Sequence, residues 1–170
     1  MVVTRATPAD ARRLAEFASR TFRDTFEADN TPEDLARYLS TAYGEVQQRA
    51  EIETPGHLVL VAESGGALAG YAHLRCGPAP ECVAERDAVE LWRFYVDREW
   101  HGQGVAAQLM QETLGNARER QAPALWLSVW EHNPRAQRFY GKCGFRHVGN
   151  KPFVVGSDVQ TDWVMTLTLS

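Results

Sequence analysis

The sequence predicts an α/β fold: a central, mostly antiparallel sheet flanked by helices. Three observations carry this. Stretches rich in β-branched and aromatic residues alternate with amphipathic stretches of helical spacing. A cap-then-proline helix start recurs at Thr7-Pro8, Thr31-Pro32 and Asn133-Pro134. Residues 88–110 read as a strand that feeds a helix through a connector bearing two glycines.

Val2 to Ala6 forms a first short strand. Thr7-Pro8-Ala9-Asp10 opens a helix whose apolar face is Leu14, Phe17, Ala18, Thr21 and Phe22. A mixed run, 22–30, leads to a second helix start at Thr31, with Leu35, Tyr38, Leu39 and Ala42 as its stripe. A polar helical stretch from Glu45 to Glu51 is compatible with the pattern. His57–Ala62 and Ala67–Arg75 flank Ser64-Gly65-Gly66 and read as a hairpin. Gly77-Pro78-Ala79-Pro80 breaks the chain before the strand at 88–97. A helix follows to about Arg120, then a strand at 123–130 and a helix from Asn133 to about Lys142. A strand at 145–150, a turn at Gly156-Ser157-Asp158 and a strand at 159–169 finish the chain. The order is one strand, two helices, three strands, helix, strand, helix, two strands. The strands at 88–97 and 123–130 are joined by a helix and so should be parallel.

At 170 residues, with 44% hydrophobic and 24% charged residues, the chain fits one domain, 1–170. No apolar run approaches a membrane span. The start lacks the basic and apolar segments of a signal peptide. Cys76, Cys82 and Cys143 are odd in number and unpaired in pattern. A reducing, cytoplasmic setting is expected. The histidines are scattered without ligand spacing, so no metal is expected. A net charge of −4 argues against nucleic acid as a partner.

The connector holds the first chemical pointer. A helix start leaves N–H groups unpaired, and glycines let an anion approach them. Gly102 and Gly104 stand at such a start, so the stretch is either a phosphate cradle or a tight turn that needs glycine. It lacks the lysine-bearing P-loop and the full dinucleotide fingerprint.

The stretch resembles motif A of the GCN5-related N-acetyltransferases, the GNAT family: Gln/Arg-x-x-Gly-x-Gly/Ala after a strand. It maps onto His101-Gly102-Gln103-Gly104-Val105-Ala106 after Val96-Asp97, and departs in having His101 where Gln or Arg is usual. Residues 131–145 resemble the family's second signature in Asn133, Ala136, Tyr140, Gly144 and Phe145. The resemblance implies a single GNAT-like domain in which the parallel strand pair splays apart. It also implies transfer of an acetyl group from acetyl-CoA to a primary amine. The pyrophosphate would take the N–H groups from Gly102 through Ala107. The pantetheine would pair with the backbone of Phe94, Tyr95 and Val96, and with the side chain of Asn133, which is equally an N-cap.

Tyr140 lies two helical turns after Asn133, on the same face. It is assigned as the general acid for the departing thiolate, with core packing as the alternative. An alkyl amine is protonated at neutral pH, so a carboxylate should take its proton. Glu90 is the candidate, with a salt bridge to a neighbouring Arg as the alternative. Simple alternation puts Glu90 on one face with Trp92, Phe94 and Val96. Cys143 before Gly144-Phe145 reads as a small buried hydrophobe, since direct transfer needs no nucleophile. Trp92, Tyr95 and Trp130 suit core packing or the acceptor slot.

Residues 21–26 and 30–35, together with 90–96, resemble the polyamine-acetylating branch. Asp24, Glu27, Asp29, Glu33 and Asp34 make the early segment acidic, with a solvated face and helix-start charges as the alternative for each. A small cationic acceptor is expected. A protein N-terminus or lysine, an aminoglycoside, and a non-catalytic acyl-CoA sensor are the alternatives. Many relatives are homodimers, and no interface is legible in this chain.

Overall fold

The computed structural model describes residues 1–155 and 158–169. Its elements are β1 (Val2–Arg5), α1 (Ala11–Phe26), α2 (Pro32–Ala42), α3 (Glu45–Glu53), β2 (His57–Ser64) and β3 (Ala67–Arg75). They continue as β4 (Val89–Val96), α4 (Val105–Glu119), β5 (Ala124–Trp130), α5 (Pro134–Lys142), β6 (Arg146–Val155) and β7 (Asp158–Thr168). No helix among the described residues is long and apolar enough to cross a membrane.

The helix starts at Thr31 and Asn133 form as the sequence predicts, whereas Thr7-Pro8 opens a single 3-10 turn and α1 itself begins at Ala11. Asp10 accepts from the Thr7 N–H at 2.6 Å, closing that turn. Thr31 Oγ1 accepts from the Asp34 N–H at 3.2 Å and Asn133 Oδ1 from the Ala136 N–H at 3.0 Å. The hairpin turns at Gly65 and Gly66, φ +59° and +82°, values that favour glycine. The turn expected at Gly156-Ser157-Asp158 lies outside the described residues, except that β7 begins at Asp158.

Three helices, not two, separate β1 from the hairpin. The 45–51 stretch becomes α3, whose buried residues are Gln48 and Glu51. It has no apolar stripe to announce it. Its anchors are polar: Gln48 donates to the Ala42 carbonyl at 3.1 Å, and Glu51 pairs with Arg93. α1 also runs four residues further than its expected stripe, ending with buried Phe26.

The strands make one sheet in the order β1-β2-β3-β4-β5-β7-β6. Every pairing is antiparallel except β4 with β5. Alternation along the strands feeds two main cores and a smaller one of Val83, Ala88, Ala124, Trp126 and Val164. Leu58, Leu60, Ala72 and Leu74 join Leu109 and Met110 of α4 on one face. Val59, Val61 and Tyr71 join Leu14, Phe17, Phe22, Leu35 and Leu39 of α1 and α2 on the other. The parallel pair touches only at Val89–Leu125 and Glu90–Trp126. Past Glu90 the two strands part, and the site opens in that gap.

Candidate active site

A cleft of about 660 Å³ begins in the gap between β4 and β5. That size suits a small ligand or an extended cofactor arm. His101 and Ala106 line one end, and Phe94, Tyr95, Val96, Asn133 and Tyr140 line the middle. Phe26, Tyr38, Phe153, Ser128 and Asp162 line the far end. Six of the expected cofactor residues therefore share one cavity. Gly102, Gln103, Gly104, Val105 and Ala107 are not in its lining; they form the turn and first helical residues beside His101 and Ala106.

The turn is built as a cradle. Gly104 caps α4 in the left-handed region, φ +83°, and Gly102 has φ +79°. A Cβ at either would meet nothing within 4 Å, so conformation and not space asks for glycine. The first bond of α4 runs from the Gln108 N–H to the Gly104 carbonyl at 3.0 Å. The N–H groups of Val105, Ala106 and Ala107 thus have no acceptor within the helix and sit at its positive end. Val105 turns its side chain into the core, 2% exposed. Gln103 donates its amide to the Glu99 carbonyl at 2.6 Å. These features fit a pyrophosphate. His101, at the position where the family has Gln or Arg, folds back instead: its Nε2 lies 2.8 Å from the Val96 carbonyl and donates to it.

Tyr140 stands against the β4 edge, its ring centroid 6.2 Å from Phe94. It is buried, and burial, with a smaller contribution from Cys143, pushes its phenol above the usual value. The proton therefore stays on the oxygen at neutral pH. Asn133 caps α5 through Oδ1, which leaves its amide N–H₂ for another partner. Cys143 is half-buried, and burial raises its thiol, so little thiolate forms there.

Glu90 lines the cleft, but not on the expected face. A bulge shifts the β3–β4 register between His73 and Leu74, opposite Arg93 and Leu91, and leaves Trp92 without a partner. Parity reverses across it. Val89 and Leu91 pack with α4, as do Phe94 and Val96 beyond the bulge. Glu90 lies between the first two, so it points to the opposite face. It keeps company with Trp92 and parts from Phe94 and Val96. There its carboxylate accepts from Arg75 Nε at 2.5 Å. Trp92 lies between two guanidiniums, Arg75 at 3.6 Å and Arg93 at 3.9 Å from its ring centroid. Tyr95 stacks on Tyr71 at 5.7 Å in the second core.

The acidic segment contributes less than its composition suggests. Of its five acids, only Asp24 and Asp29 reach the cleft. Asp24 pairs with Arg98 at 2.8 Å. Asp34 lies at the α2 start. The acceptor end is instead walled by aromatic rings: Phe26 against Trp130 at 5.8 Å, and Tyr38 against Phe153 at 5.9 Å. Sequence reasoning missed Phe26, Tyr38, Phe153 and Asp162. Nothing local marks Asp162, because β7 also carries Asp158, Gln160 and three threonines, and one more polar residue does not stand out among them.

A sheet that splays beside a glycine-capped helix, with a phenol at the open strand edge, defines an acyl-CoA-dependent transferase. The acetyltransferase (GNAT) family profile matches residues 14–145, and the chain belongs to that family. Acetyl-CoA is its cosubstrate and N-acetylation its reaction. An uncharacterized N-acetyltransferase of Lactobacillus delbrueckii subsp. lactis is 32% identical over 98% of this chain and 96% of its own. One from Mycobacterium tuberculosis is 35% identical over 94% and 98%. The PaiA N-acetyltransferase of Thermoplasma acidophilum, solved with coenzyme A, superposes with a TM-score of 0.78 over 99% of both chains at 19% identity.

Proposed function

We propose that this acetyltransferase acts on a primary amine of a small cationic molecule, an alkyl polyamine being the favoured class, by direct attack. One observation carries the reading. A single cleft runs from the cradle, past the free β4 edge and Tyr140, into a chamber walled by aromatic rings and carboxylates. Aromatic faces and carboxylates suit an alkylammonium.

Acetyl-CoA supplies the activated thioester. The N–H groups of Gly102 and of Gly104 through Ala107 would hold its pyrophosphate, while the Gln103 N–H donates to the Trp100 carbonyl at 3.3 Å and shapes the turn. The backbone of Phe94 to Val96 and the Asn133 amide would run along the pantetheine. Tyr140 keeps a proton on its hydroxyl oxygen and presents it where a thiolate departs. Glu90 receives, by way of water, the proton that the attacking nitrogen sheds, and Arg75 fixes its orientation. Cys143 takes no part.

The test is acetyl-CoA-dependent thiol release against spermidine, spermine, simple diamines, peptides with free N-termini and aminoglycosides. Release with the polyamines and diamines is expected. Release with peptides alone would discard the small-amine reading, and binding of acetyl-CoA without release on any acceptor would favour a sensor.

A further inference from the structure

Among the described residues, Asp162 is the one cleft-lining acid whose burial the assigned chemistry leaves unexplained. It sits on β7 opposite Trp130 of β5 and is 5% exposed. Its Oδ1 has no hydrogen-bond partner. Lys151, its register partner on β6, sends its ammonium over the Trp126 ring at 5.5 Å. A buried carboxylate oxygen without a partner is costly and asks for a reason. Burial pushes the Asp162 carboxyl up, against the lowering influence of the Ser128 hydroxyl and Lys151. Asp24 and Glu90, by contrast, already hold arginines.

The position of Asp162 also matters. Tyr140 packs on Phe94 at the β4 edge, so the reacting nitrogen must come to that edge. Asp162 lies across β5 from β4, farther than the two strand spacings of about 10 Å that a paired sheet gives, because β4 and β5 have parted there. Phe26, Tyr38, Trp130 and Phe153 line the space around it. That distance suits a cation other than the one that reacts.

We propose that Asp162 receives the second, non-reacting ammonium of a diamine or polyamine acceptor, and so sets the enzyme's preference for acceptors with two cationic ends. This rests on the small-amine reading of the same cleft. The aromatic rings cover the alkyl chain between the two nitrogens, and Oδ1 gains the partner it lacks.

The test compares 1,4-diaminobutane with 1-aminobutane on wild type, Asp162→Asn and Asp162→Ser. Calorimetry on CoA-loaded protein should show diamine binding by wild type, weakened about tenfold or more in both variants. In turnover, both variants should lose about tenfold in kcat/KM for the diamine, chiefly through KM, and stay within twofold for the monoamine. The melting temperature should change little, because the loss of the Ser128 and Lys151 interactions is offset by removal of a buried carboxylate oxygen that has no partner. Equal diamine binding by wild type and variants would overturn the role of Asp162. Equal kcat losses on both amines would overturn it too, placing the carboxylate at the reacting nitrogen. The two readings fail separately: if no small amine releases thiol, the acceptor reading fails, whereas the binding comparison judges Asp162 without turnover.

Discussion

The guanidinium of Arg93 forks onto the carboxylate of Glu51, with contacts of 2.5 and 3.2 Å and both side chains about 5% exposed. This pair ties α3 to β4, adding to the packing of α3 against α1 and β2. Removing one partner strands a buried charge, which typically costs about 3–5 kcal/mol. Glu51→Ala should therefore lower unfolding stability by that order in a denaturant melt. The double substitution Glu51→Leu, Arg93→Met should recover much of it. A double variant no better than Glu51→Ala would show that the charges do more than neutralise each other. Arg93 also stacks on Trp92, so the double variant should still impair acceptor turnover.

Cys143 follows Tyr140 by about one turn, at the C-terminal cap of α5, and only Tyr140 is expected to matter. Tyr140→Phe keeps the ring against Phe94 and removes the hydroxyl. Its kcat should fall about 10²-fold or more, the usual worth of a positioned acid, with acetyl-CoA affinity nearly unchanged. Cys143→Ala should leave kcat within twofold. Glu90→Gln should cut turnover at neutral pH and recover as pH approaches that of the free amine, since a deprotonated acceptor needs no base. A loss that persists at high pH would reduce Glu90 to the ion pair with Arg75.

The legible parts of the fold were those with a local pattern. The stripe from Leu14 to Phe22, the capped prolines and the glycines of the cradle each encode their conformation within a few residues. Tyr140 and Asn133 were legible because both lie on one short helix. α3 was obscured because its buried face is Gln48 and Glu51, and the partner of Glu51 lies 42 residues away. The face of Glu90 was misread because a bulge at Trp92 breaks the alternation, and nothing in Leu91-Trp92-Arg93 marks it. Asp162 became meaningful only once β7 was inserted between β5 and β6, a pairing set by tertiary packing and not by any neighbouring residue.

Gly104 caps α4 and Gly115 lies inside it, and the two should respond oppositely to alanine. Gly104 has φ +83°, where a Cβ is strained by about 1–2 kcal/mol. Gly104→Ala should lose about that stability, and should weaken acetyl-CoA binding as the N–H groups of Val105 to Ala107 turn away. Gly115 lies inside α4 with open space around it. Gly115→Ala should gain roughly 0.5–1 kcal/mol and leave binding unchanged. Isothermal titration with acetyl-CoA, alongside thermal melts, checks both. Unchanged binding in Gly104→Ala would remove the cradle from cofactor recognition.

His73 should give the protein a stability that falls in mild acid. Its ring is 1% exposed, and its Nε2 lies 3.0 Å from His57 Nδ1. Glu51 is 3.7 Å from its Nδ1, which would count as an ion pair only for a charged ring. Burial first, then Arg93, His57 and Arg75, hold the His73 pKa well below 6.5, so the ring is neutral in the folded state at neutral pH. Glu51 then favours the proton on Nδ1, and Nε2 accepts from His57 Nδ1–H. His57 is lowered too, mainly by burial. A ring with a depressed folded pKa binds protons more readily when the chain unfolds. Its stabilisation is complete above about 6.5 and is lost as pH drops from there toward the folded value, at up to about 1.4 kcal/mol per pH unit for one group. Denaturant melts between pH 7.5 and 5 should show that decline. His73→Gln, though less stable at pH 7.5, should flatten it, and His57→Gln should flatten it less. An equally steep decline in His73→Gln would assign the acid sensitivity to other groups.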